Sequence, residues 1–254
     1  MSGARIVITA GGSGIGAEMA RHFIARGDRV AVCDVDADAV AAIEAETGAL
    51  AMVADVTDEA QMQTFLDAAD TELGGVDALC ANAGIAGPAG PIEDLPLAGW
   101  RDCISANLDG AFLTARWAAR KMRAQGSGCI LLTTSTAGLF GYPNRSPYAV
   151  SKWGVIGLMK TLAMELGPAG VRVNAIAPAA VEGPRMDRVI KAEAAARNIT
   201  EAEVREYYVK GVSMRSWVTA ADVAETALWL TSAQASRISG QVIAVDGHTE
   251  TLAP

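Results

Sequence analysis

Two side chains four positions apart, Tyr148 and Lys152 in the string YAVSK, carry the first hint of chemistry. A tyrosine hydroxyl ionises near pKa 10 (about 10 in model peptides) and is a poor base at neutral pH unless its anion is favoured. On a helix, residues four apart share a face, so the Lys152 ammonium can stabilise tyrosinate through its charge. Such a pair can take the proton of an alcohol whose carbon surrenders a hydride. Alone, the string is equally well read as two residues on one helix face. Its weight comes from company: Ser135 closes a buried apolar run in TTSTAG, ahead of the tyrosine. A nucleophilic serine is disfavoured, because no GxSxG surrounds Ser135 and neither His22 nor His248 has the context of a triad.

Residues 9–16 read TAGGSGIG between a strand-like run and a helix-like one. Glycines there let the backbone turn tightly and approach a pyrophosphate, while the N–H groups and dipole of the next helix favour its charge. Asp34 closes the second apolar run, where a carboxylate can accept from ribose hydroxyls. Asp34 and Asp36 would repel the 2′-phosphate of NADP, and the turn offers no Lys or Arg to compensate. The expected cofactor is NAD.

The elements that must hold these groups follow from an alternation of β-branched runs with alanine-rich amphipathic stretches, the pattern of βαβ units and a parallel sheet. Strands are expected at 5–9, 29–33, 49–53, 76–81, 128–134, 171–176 and 241–245, and helices at 14–26, 36–47, 58–73, 99–125, 147–167 and 219–232. Asp36, Thr57 and Thr219 serve as candidate N-caps, the last with Asp222 three residues on. The fold class is α/β: a doubly wound, seven-stranded parallel sheet in one domain over residues 1–254. Residues 84–98 and 178–217 fit no regular unit and are expected as binding loops, with a lid over about 182–217.

In order and spacing, TAGGSGIG, the NAG at 82–84, Asn107, Ser135 and YAVSK resemble the short-chain dehydrogenase/reductase family, and the match runs from residue 5 to about 247. The resemblance implies a Rossmann fold and a catalytic set of Asn107, Ser135, Tyr148 and Lys152. Tyr148 is then the general base, Lys152 its pKa modifier and ribose ligand, Ser135 the partner of the developing alkoxide, and Asn107 the anchor of a water in a proton relay. It also implies cofactor contacts from Gly11, Ser13, Gly14, Ile15, Gly16, Asp34, Asp55, Val56, Asn82, Ala83, Gly84, Tyr148, Lys152, Pro178 and Val181. A homotetramer packed through the helices at 99–125 and 147–167 is implied as well. Two departures stand out. Ala10 occupies a position usually held by glycine, and the segment Pro178-Ala179-Ala180-Val181-Glu182-Gly183 lacks the usual glycine and threonine. Trp153, after Lys152, is read as a core tryptophan, with a subunit interface as the alternative.

The substrate is expected at the carboxyl ends of the strands, where a doubly wound sheet binds its ligands. Tyr142, Arg145, Arg185 and Arg188, with Ser135 and Tyr148, are the candidate contacts, and Arg215 is a further arginine in the same segment. Arginine forks suit carboxylate, sulfonate or phosphate, so a small polar or anionic secondary alcohol is the expected substrate. Two alternatives stay open: the arginines pair with Glu182, Asp187, Glu193 or Glu201 in the lid, or Tyr142, Tyr207 and Trp217 line an apolar pocket. NAD-dependent oxidation of the alcohol to a ketone leads. A carbonyl or 3-oxoacyl reductase in the reverse direction and a non-catalytic NAD-binding sensor or scaffold are the competing functions.

Composition excludes other classes. With 51% apolar and 20% charged residues, a full core is available. A net charge of −8 without a basic run argues against nucleic acid and anionic membrane. The opening MSGARIVITAGG has no secretory apolar region and no stretch is long enough to span a bilayer, so a cytoplasmic protein is expected. Four cysteines without a CxxC and two histidines offer no metal set, and buried thiols are the expectation.

Overall fold

The computed structural model describes residues 3–252. Seven strands, β1 (Arg5–Thr9), β2 (Arg29–Asp34), β3 (Leu50–Val53), β4 (Ala78–Ala81), β5 (Gly128–Thr133), β6 (Val171–Pro178) and β7 (Val242–Val245), form one sheet in the order β3-β2-β1-β4-β5-β6-β7. Every neighbouring pair is parallel. Both faces are covered, so successive strand residues feed different cores: Ile6 and Ile8 pack on one side, Val7 on the other. One side is closed by α1 (Gly14–Ala25), through Met19 and Phe23, and by α9 (Ala220–Thr231), through Val223 and Leu230. The other is closed by α3 (Glu59–Leu73), α5 (Gly110–Gln125) and α6 (Ser146–Leu166), through Phe65, Trp117 and Met159. Helix α2 (Ala37–Thr47) packs beside α1. Strand order reverses between β1 and β4, which opens a crevice at their carboxyl ends.

All seven expected strands are present, with ends shifted by a residue or two. Asp36 caps α2 by accepting from Asp38 and Ala39 N–H, and Thr219 caps α9 in a reciprocal box with Asp222. The third helix is capped by Asp58 rather than Thr57, whose hydroxyl donates to Asp55 instead. A carboxylate one residue closer to the helix is the stronger acceptor for its free N–H groups. The expected single helix at 99–125 is three pieces: α4 (Leu97–Ile104), a π-helical turn over Ser105–Asp109, and α5.

Residues 178–217 are more regular than expected. They hold α7 (Pro184–Arg197) and α8 (Glu201–Lys210), with a small core of Ile190, Ala194 and Val204 beneath Met186, Tyr208 and Trp217. Trp153 is 52% exposed on the outer face of α6 and is not a core residue. Phe112 and Val150 are likewise exposed, on α5 and α6. Cys33, Cys80, Cys103 and Cys129 are free and buried. No helix of the described residues is long and apolar enough to cross a membrane.

Candidate active site

The turn after β1 is built on backbone conformations that side chains resist. Ala10 takes φ +52° and Gly14 the same value, so the chain accepts a Cβ in the left-handed region at the first position and none at the second. Gly16 has no room for one, since a Cβ there would lie 2.0 Å from the Ala10 carbonyl oxygen. Gly11 N–H donates to the Cys33 carbonyl at 2.9 Å, and Gly12 N–H to Asp34 Oδ2 at 3.1 Å. The other Asp34 oxygen accepts from Asp36 N–H at 3.2 Å, holding the carboxylate beside the turn. Ser13 precedes α1 without a side-chain bond to its first turn, and Ile15 packs toward the core. The first N–H groups of α1 therefore keep their capacity for an anion. A tight turn, an uncapped helix start and a carboxylate without a neighbouring cation in the turn fit NAD.

Asn82 stitches this turn to the sheet. Its Nδ2 donates to the Ala10 carbonyl at 3.3 Å, its Oδ1 accepts from Thr133 Oγ1 at 3.2 Å, and Asn82 and Ala83 N–H both reach Thr9 Oγ1. Asp55 has a local task, accepting from Thr57 N–H and Oγ1, each at 2.8 Å. Val56 is buried against Gly110, where α5 begins.

Ser135, directly beyond β5, accepts from Ala137 N–H at 3.2 Å and donates to the Pro178 carbonyl at 3.4 Å, so the ends of β5 and β6 fix its hydroxyl. Tyr148 lies in the first turn of α6 and Lys152 one turn on. Lys152 Nζ sits 5.7 Å from the Tyr148 ring centre and donates to the Thr133 carbonyl at 2.9 Å. It is only 3% exposed. Burial, assisted by the charge of Arg185, brings the ammonium down to a pKa of about 7. The π turn delivers Asn107: a Cβ on Gly84 would lie 3.0 Å from Asn107 Oδ1 and 3.2 Å from Lys152 Nζ, so both groups converge on that glycine. Only a residue without a side chain leaves this junction open.

The substrate candidates divide. Arg185 Nη1 donates to the Gly84 carbonyl at 3.3 Å, so this α7 side chain reaches the junction. Arg188 is exposed and forms no ion pair or hydrogen bond among the described residues. Arg197 pairs with Glu193 at 2.8 Å, Arg205 with Asp187, and Arg215 binds the Lys210 carbonyl at 2.7 Å with Glu250 at 3.9 Å. The alternative in which Arg145, Arg185, Arg188 and Arg215 pair with Glu182, Asp187, Glu193 or Glu201 is not what the structure shows: Asp187 and Glu193 are taken by Arg205 and Arg197, two arginines that reach them across or along the α7–α8 pair. Tyr142 OH meets Tyr208 OH at 3.5 Å, and Tyr208 donates to Glu193 at 3.0 Å. Burial and these neighbours push the Tyr208 phenol up. Arg145 stands 6.0 Å from the Tyr142 ring centre. Beside Tyr142, an open cleft of about 460 Å³ separates loop 140–143 from residues 250–252.

After β6, Val181 pairs with Val218 and packs into the α1–α9 core. Gly183 takes φ +137°, which explains why no threonine stands at this entry to α7. Sequence reasoning missed Ser151, Cys103 and Tyr208. Ser151, three residues after Tyr148 in a helix, is in reach of the tyrosine carbonyl by spacing alone. The other two depend on contacts between distant segments.

A family model described as enoyl-(acyl carrier protein) reductase matches residues 9–248. Levodione reductase of Leifsonia aquatica is 34% identical over 249 residues, 95% of this chain and 92% of that protein. Cis-4-hydroxycyclohexanecarboxylate dehydrogenase of Sinomonas cyclohexanicum is 37% identical over 245 residues, 95% and 94% of the two chains. The crystal structure of NAD+-bound xylitol dehydrogenase superposes with a TM-score of 0.91 at 28% identity, covering 96% of this chain and 98% of that one. The chain belongs to the short-chain dehydrogenase/reductase family and is an oxidoreductase.

Proposed function

We propose that the protein oxidises a small secondary alcohol carrying a carboxylate or comparable anion to its ketone, with NAD as oxidant. The observation that carries the substrate class is Arg185 reaching the Gly84 carbonyl, at the glycine where Lys152 and Asn107 converge. A carbonyl is a modest partner for a guanidinium, and a substrate anion offers a bidentate one. The carboxylate in the name of the Sinomonas relative supports the same class.

In this reading Gly11, Ser13, Gly14, Ile15 and Gly16 cradle the pyrophosphate, and Asp34 binds the adenosine ribose. Asp55, Val56, Asn82, Ala83, Gly84, Pro178 and Val181 complete the nucleotide contacts. Bound NAD supplies the acceptor for the hydride leaving the alcohol carbon. Tyr148 takes the hydroxyl proton, and Lys152 favours the tyrosinate through its charge. Ser135 hydrogen-bonds the substrate oxygen as negative charge grows on it. Asn107 anchors the water through which Lys152 exchanges protons with solvent. Tyr142, Arg145, Arg185 and Arg188 border the substrate.

The α7–α8 segment acts as a lid of about residues 182–217 on a single domain. Exposed Phe112, Val150 and Trp153 support assembly through α5 and α6, as a homotetramer. We place the protein in the cytoplasm. The net charge of −8 opposes docking of an acidic carrier protein, which weighs against a carrier-bound reductase.

The test follows absorbance of reduced nicotinamide, with NAD⁺ or NADP⁺, across secondary alcohols that are neutral, carboxylated, sulfonated or sugar-derived. Turnover of anionic members with NAD⁺ is expected. Turnover confined to neutral cyclic alcohols overturns the anion assignment, and preference for NADP⁺ overturns the role of Asp34. Tyr148→Phe is expected to abolish turnover with NAD affinity retained, and equal turnover refutes the mechanism.

A further inference from the structure

Ser151 lies on the inner side of α6, between Tyr148 and Lys152 in sequence, fully buried and unused by any step above. Its Oγ donates to the Tyr148 carbonyl at 2.7 Å and accepts from Asn107 Nδ2 at 2.9 Å. A hydroxyl has one proton, so with that proton given to Tyr148, only its lone pairs face the amide. Both polar atoms of the Asn107 amide have further partners, and one lone pair of its oxygen is left over. Its Oδ1 accepts from Ile85 N–H at 2.7 Å, and Nδ2 also meets the Ile85 carbonyl at 3.0 Å and Cys103 Sγ at 3.4 Å. Turning the amide over would set donor against donor at Ile85 N–H and oxygen against oxygen at the Ile85 carbonyl. One orientation survives, and Ser151 is the strongest side-chain acceptor enforcing it.

We propose that Ser151, seconded by Cys103, is a positioning residue that locks the π turn of Asn107 to the first turn of α6 and so sets Tyr148 relative to Lys152. The idea rests on the reading of Tyr148 as the base. A buried network of this kind is rigid only when each member is satisfied. Without the Ser151 hydroxyl, the Tyr148 carbonyl and one Asn107 N–H lose a partner together, and both the phenol and the proton path lose their fixed geometry. The titratable or charged groups around this junction are Lys152 on α6, Cys103 on α4 and Arg185 on α7. None of these is removed by changing Ser151. The nucleotide turn and Asp34 are held by other segments, so the pyrophosphate and adenosine end of NAD keep their contacts and most of the NAD affinity stays.

The experiment compares Ser151→Ala, Ser151→Thr, Cys103→Ala and Tyr148→Phe in the full chain. It reads kcat, alcohol KM, the pH profile of kcat, NAD affinity by fluorescence titration, and Tm. For Ser151→Ala the expectation is a kcat about 10- to 100-fold lower, with KM and NAD affinity within about 3-fold, and an ascending pH limb displaced upward by half a unit or more. Ser151→Thr keeps the hydroxyl and restores kcat to within about 3-fold of the parent. If the added methyl or the lost hydroxyl prevents folding, Cys103→Ala decides: kcat falls about 2- to 3-fold, with the limb displaced in the same sense. A lower Tm with kcat and pH profile unmoved makes Ser151 a packing residue and overturns the proposal, provided that Tyr148→Phe is inactive. An active Tyr148→Phe overturns the underlying reading instead.

Discussion

Arg185, in the first turn of α7, donates to the main-chain carbonyl of Gly84, the glycine beyond β4 on which Asn107 and Lys152 converge, at 3.3 Å. Arg197 and Arg205 are tied to carboxylates and Arg188 has no partner among the described residues, so Arg185 is singled out by its contact at Gly84, beside Lys152 and Asn107. Arg185→Ala is expected to raise KM for a carboxylated alcohol about 10- to 100-fold, the worth of a charge-assisted pair. A neutral alcohol should change little. Steady-state kinetics on the two substrates checks this, and an equal loss on both would show that Arg185 shapes the cleft without reading charge.

Asp34 has two tasks that one substitution separates. Its Oδ2 holds Gly12 N–H, and the same carboxylate meets the ribose in the proposed complex. Asp34→Asn keeps a side-chain acceptor for Gly12 and removes the charge. NAD should bind about 3- to 10-fold more weakly, while NADP gains because the repulsion of its 2′-phosphate is relieved. Titration of both nucleotides measures the ratio; an unchanged ratio places cofactor discrimination elsewhere.

The sheet was legible because strand-like and helix-like runs alternate along the whole chain and the five inner strands are buried on both faces, so their apolar composition marks them. The candidate site residues could be picked out because they lie at short spacings or at the ends of regular elements: Tyr148 and Lys152 on one helix, Asp34 at a strand end. The π turn was not, since its pattern continues the apolar periodicity of α4 and α5 and differs only in hydrogen bonding. Nor was the separation of the arginines. Arg185 and Arg205 look alike in a charged string, and only the packing of α7 on α8 gives Arg205 a carboxylate at Asp187. The reading of Trp153 as core failed because the buried face of α6 runs through Ser151, Lys152, Val155 and Met159, which turns Trp153 outward.

Ala10 stores a small backbone cost in the nucleotide turn. Its φ of +52° lies in the left-handed region, where a Cβ crowds the carbonyl by roughly 1 kcal/mol relative to glycine. Glycine also loses more freedom on folding, so the net gain from Ala10→Gly is expected at about 0.5 kcal/mol, seen as a Tm rise of about 1 to 2 °C. Thermal unfolding measures it, and a fall in Tm would mean that contacts of the Ala10 methyl outweigh the strain.

Burial of Lys152 predicts a pH-dependent penalty with a definite sign. Its pKa is about 7 in the folded chain, against about 10.4 in an unfolded one. Between those values the unfolded chain holds a proton that the folded chain lacks, so this site costs stability as pH falls from about 10 toward 7, and the cost levels off below 7. Lys152→Met removes the titration along with the bond to the Thr133 carbonyl, worth about 1 kcal/mol. The NAD-free variant should therefore be more stable than the parent by about 2 to 4 kcal/mol at neutral pH. The gap should narrow steadily toward pH 9. Denaturant unfolding of both chains at the two pH values tests this through the difference between them, which cancels the contributions of groups common to both. A parent as stable as the variant at neutral pH would show that the ammonium keeps its charge in the closed site, and that its attraction to neighbouring oxygens offsets the loss of water.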